Sequence, residues 1–141
     1  MNSHRIDDAT AEYILETRKC FEDLRQVAAQ IAGVLVLAAA GAKSATPDHP
    51  MLDAAAELHG AAIEELHGIR PTPRAHAHHQ CLMQAAEALA IALSAAKQAE
   101  IDPVLLPVRA AYSYLQRAAE TLPGFEMVAF EHGCCALHLA L

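Results

Sequence analysis

Tryptophan is absent from this 141-residue chain, phenylalanine and tyrosine supply three residues each, and only 19% of positions are charged. So few aromatics beside 32 alanines argue against a strand-rich fold and favour helix. Basic residues are also scarce, 10 against 17 acidic ones, for a formal charge of -7. With no Lys/Arg cluster, neither nucleic acid nor an anionic membrane is expected as a main partner, because concentrated positive charge grips both. A hydrophobic content of 54% excludes general disorder. The chain also lacks a Gly-rich phosphate loop, a Gly-x-Ser-x-Gly elbow and a His-Glu-x-x-His helix.

No long hydrophobic run is present. The longest uncharged stretch, between Arg25 and Lys43, is rich in Ala and Gly and contains Gln30, which makes it marginal for crossing a bilayer and better suited to a buried helix. Ala40-Gly41-Ala42 imitates a signal-peptidase site, but six acidic residues between Asp7 and Asp23 precede it, the wrong charge for a leader. A cytoplasmic location is therefore expected. Cys20, Cys81, Cys134 and Cys135 have none of the spacing of a stapled secreted domain, and they are read as reduced.

What the chain does have is apolar periodicity. Ile14, Phe21, Leu24, Ala28, Ile31, Leu35, Ala38 and Ala42 follow three- and four-residue steps, interrupted at Thr17. Leu52, Ala55, His59, Ala62, Leu66 and Ile69 repeat the pattern, as do His78, Leu82, Ala85, Leu89, Ala92 and Ala96. A fourth stripe runs Leu105, Val108, Tyr112, Leu115, Ala119 and Leu122. Thr46-Pro47, Thr72-Pro73 and Asp102-Pro103 each place a capping side chain before a proline suited to a first helical turn. The reading is all-α in a single domain: an antiparallel, up-down-up-down four-helix bundle with helices over 8–44, 47–69, 73–99 and 103–122. Residues 124–141 are read as a short helical appendage. Alanine seams bury little area per residue, so a homodimer that covers this tail and one bundle face is expected.

Candidate chemistry rests on histidine and cysteine. His76, His78 and His79 stand beside Cys81 near the start of the third helix, and imidazole and thiolate are natural ligands of zinc, copper or nickel. At about 1.5 Å rise per residue, Cys20, His59 and Cys81 each lie about 12–18 Å in from one pole of an antiparallel bundle, with Tyr112 facing them. Cys134-Cys135, flanked by His132 and His138, adds vicinal thiols able to bind a soft metal or to oxidise. The candidate metal ligands are thus Cys20, His59, His78, Cys81, Cys134, Cys135 and His138. Glu64-x-x-His67 resembles half of a ferritin-like di-iron helix, but the second motif that such a site requires is missing. His59-Gly60 invites comparison with histidine phosphotransfer bundles, without the lysine usual after their histidine. The functional expectation is a non-catalytic binding or interaction module, with a Cys/His metal site as its sharpest form. The alternatives are a structural homodimerisation module and a thiol-dependent redox protein.

Overall fold

A computed structural model describes residues 6–43, 45–98 and 101–127. Within them the chain forms four helices, α1 (Asp8–Ala39), α2 (Pro50–Gly68), α3 (His76–Ala96) and α4 (Asp102–Thr121), and no strand. They pack as a four-helix bundle in which α3 lies most closely on α4 and α1 on α2, while α1 also touches α3 and α4. None of these helices is long and apolar enough to cross a membrane.

The helix ends follow local chemistry, and several differ from expectation. Asp7 caps α1, its Oδ1 accepting from the Thr10 N–H at 2.6 Å. The far end stops at Ala39 rather than 44, because Gly41 enters the left-handed region at φ +77. There Gly41 N donates to Ala38 O and Ala42 N to Leu37 O, the paired bonds of a Schellman ending. Helix α2 starts at Pro50 instead of Pro47, since a helix begun at Pro47 would meet a second proline, with no N–H to give, at its fourth position. The His49 Nδ1 accepts from Met51 N instead, and Thr46 closes a turn through its carbonyl. Helix α3 starts at His76, three residues later than expected, after a single turn in which the Thr72 hydroxyl and carbonyl both accept from Ala75 N. Asp102 lies inside the first turn of α4, not ahead of it.

Two poles are fixed by contacts. At one, Thr10 meets Thr72 at 2.8 Å, Tyr13 meets His78, and Ile14 and Arg18 close on Gly124. At the other, Val34 and Ala38 of α1, Leu52 of α2, Ala96 of α3 and Val104 of α4 share a cavity of about 110 Å³. The α2 and α3 stripes are buried as expected. On α4, Val108, Leu115 and Leu122 are buried as expected, while Val104, Ala111 and Ala118 are buried in place of Leu105, Tyr112 and Ala119, leaving Leu105 exposed and Tyr112 half-buried.

Candidate functional site

The first pole holds the unusual chemistry, and it grows from a second stripe on α1. Thr10, Tyr13, Thr17 and Cys20 recur at three- and four-residue steps beside the aliphatic stripe, and all four are buried. Thr17 therefore does not interrupt the core: its hydroxyl donates to the Tyr13 carbonyl at 2.8 Å, which satisfies it within the helix.

His78, in the first turn of α3, is completely shielded from solvent. Its Nδ1 lies 2.8 Å from the Tyr13 hydroxyl, and its ring lies 4.2 Å, centroid to centroid, from Phe125. Phe125 in turn meets Phe21 edge-on at 5.2 Å. Burial pushes the Tyr13 phenol up, so it stays un-ionised beside Nδ1. Whichever of the two donates, the other ring nitrogen, Nε2, is buried and has no hydrogen-bond partner. Burial, together with the neighbouring His79, pushes His78 down to about 4. At neutral pH the pair is uncharged on both sides.

The four described metal candidates do not converge as one ligand set. His78 bonds the Tyr13 phenol, whereas Cys20 and Cys81 bear on it only as charges that would raise it further if ionised. His59 is committed elsewhere, its Nε2–H donating to the Ala86 carbonyl at 2.8 Å. The Cys20 Sγ donates to Glu65 Oε2 at 3.5 Å, and burial, with that carboxylate beside it, pushes the thiol up to about 12. Burial raises the Cys81 thiol as well. Un-ionised thiols are poor ligands and poor nucleophiles. Among the described residues no group of three or more His, Cys, Asp or Glu side chains is placed to hold a metal ion. Cys134, Cys135 and His138 lie outside the described residues, as does the expected C-terminal helix. Tyr112 does not face this cluster; it sits half-buried near Arg25, and Tyr13 takes the place assigned to it.

A different kind of feature lies between α3 and α4. A groove of about 470 Å³ is lined by Gln84, Glu87, Ala88 and Ile91 on one side and Leu106, Pro107, Ala110 and Tyr114 on the other. Ile91 is 55% exposed and Leu106 72% exposed, the largest exposure among the big apolar side chains of the described residues. Pro107 lies inside the helix and cannot donate to the Pro103 carbonyl, so α4 lacks one backbone bond along the groove wall. At the far end Arg117 lies over the Tyr114 ring, 5.7 Å from its centroid. Sequence reading missed this groove because Leu106, Ala110 and Tyr114 lie off the buried stripe of α4, and apolar spacing marks only the inward face.

Compared with protein-family models, curated proteins and solved structures, the chain has no match.

Proposed function

We propose that the protein is a small helical-bundle interaction module whose binding surface is the α3–α4 groove and whose occupant is a second copy of the chain. The observation that carries this reading is a protruding Leu106 on the same face as a groove floored by alanine. Leu106 and Tyr114 stand four residues to either side of Ala110, and Ile91 and Gln84 stand on either side of Ala88. A two-fold axis through Ala88 and Ala110 therefore lays each Leu106 on the partner's Tyr114, and the small residues at the axis permit close approach. Glu87 stands one residue from that axis and is exposed, so the two copies of this carboxylate face each other at a solvated rim, where their repulsion is screened. Covering Ile91 and Leu106 supplies apolar burial that an alanine-rich core yields sparingly. Reduced, buried cysteines fit a cytoplasmic setting.

Light scattering coupled to gel filtration over a hundredfold concentration range tests the reading. The wild type is expected to run as a dimer that dissociates on dilution, and Leu106→Asp as a monomer with unchanged helical circular dichroism. A wild type that stays monomeric throughout, or a Leu106→Asp variant that still dimerises, contradicts it.

A further inference from the structure

We infer that residues 122–127 form a proton-operated strap: they close over His78 while its imidazole is neutral and lift from α1 when it takes up a proton, exposing the Tyr13–His78–Phe21 surface. The strap is held at three points. Gly124, at φ +94, passes so close to α1 that a β-carbon there would lie 3.1 Å from Arg18 Nη2 and 3.2 Å from Ile14 Cγ2. Phe125 is buried between the rings of His78 and Phe21. Arg25 Nη1 donates to the Glu126 carbonyl at 2.8 Å, and the same guanidinium pairs with Glu22.

Proton uptake changes what this packing can tolerate. Whichever nitrogen holds the hydrogen of the neutral ring, Nε2 is buried without a partner, and on imidazolium it becomes a charged donor with no acceptor. Tyr13 can turn its oxygen toward a protonated Nδ1, but among the described residues none accepts from Nε2, whereas water would. Phe125 is the least connected cover. The other titratable groups facing this region are Cys20 on α1, His79 and Cys81 on α3, and, around His79, His76 of α3 and His67 of α2; Arg117 of α4 lies beside Cys81. The thiols stay protonated throughout the acid range, and the neighbouring histidines add repulsion in the same direction. An imidazole that titrates near 4 when covered and at 6.5 in water favours the open form by up to about 300-fold on full protonation.

The test is 19F NMR of fluorophenylalanine-labelled protein from pH 7.5 to 4.5, with the His78 imidazole followed by 15N shifts in the same samples. The Phe125 resonance is expected to move to its solvent-exposed position together with His78 protonation. The movement should vanish in His78→Phe and persist in His79→Gln and Glu22→Gln. A Phe125 signal that stays buried to pH 4.5, or one that moves equally in His78→Phe, overturns the strap. If His78→Phe fails to fold, the wild type decides: coincident midpoints with helical circular dichroism retained support the strap, whereas separate midpoints, or helix lost at the same pH, overturn it.

Discussion

The two poles of the bundle solve the same packing problem with opposite materials. The pole holding the starts of α1 and α3 is closed by rings and hydroxyls: Thr10 on Thr72, Tyr13 on His78, Phe125 over both His78 and Phe21. The pole holding the end of α1 and the start of α4 is aliphatic and incompletely filled, with a cavity of about 110 Å³ beneath Val34, Leu52 and Val104, and with Val36, Ile101 and Leu105 exposed nearby. In an alanine-rich chain the few large side chains cannot fill both ends. Where rings are concentrated, polar groups can be buried in pairs; where they are absent, space and apolar surface remain.

The contrast can be broken most severely at Phe21. Phe21→Ala removes the ring that supports Phe125 and should cost about 3–5 kcal/mol, more than Leu52→Ala at the loosely filled pole, as read by urea denaturation of each variant. Acid is the next largest perturbation. Because the folded state holds His78 well below its value in water, the folded state binds its proton less tightly than the unfolded chain does. Its stabilising effect is therefore complete above pH 6.5 and is lost as pH falls toward about 4, by up to about 3 kcal/mol. Denaturant titrations at several pH values should show this loss, and His78→Phe should flatten it. His59, whose Nε2–H already meets a carbonyl, supplies the comparison: His59→Leu should leave the acid dependence in place.

Two glycines sharpen the same contrast at smaller scale. Gly41 and Gly124 both have positive φ, so alanine at either is strained by about 1–2 kcal/mol. Gly41 has open space around the position of a β-carbon, whereas Gly124 faces Ile14 and Arg18. Gly124→Ala should therefore lower the melting temperature more than Gly41→Ala does. The smallest effect belongs to Lys19, 64% exposed, which bridges Asp23 and Glu65. Solvent screens such pairs, and Lys19→Ala should leave the denaturation midpoint unchanged within error.

Much of this architecture was legible in spacing. The four bundle helices, most of the α2 and α3 stripes and the start of α1 followed from apolar periodicity, because a 3.6-residue period leaves a direct trace in the chain. The starts of α2 and α3 did not, since tandem prolines and a threonine turn compete for the same role as caps. On α4 the stripes through Leu105 and Val104 are nearly equal in hydrophobicity, and only packing against α3 selects between them. The site was half legible. Cys20, His78 and Cys81 are buried as inward-facing positions should be, but His78 pairs with Tyr13, which was hidden because Thr10 and Thr17 made its stripe look polar. Phe125 gave no signal of its role, since contacts made by a short segment after a helix have no period to read.

The surface reading is tested most directly by isotope-filtered NOE spectroscopy on a mixture of labelled and unlabelled protein at high concentration. Cross-peaks between the Leu106 methyls of one copy and the aromatic protons of the partner's Tyr114 are the expected result. A dimer without those cross-peaks, or a sample with no intermolecular NOEs at all, contradicts pairing through the α3–α4 groove.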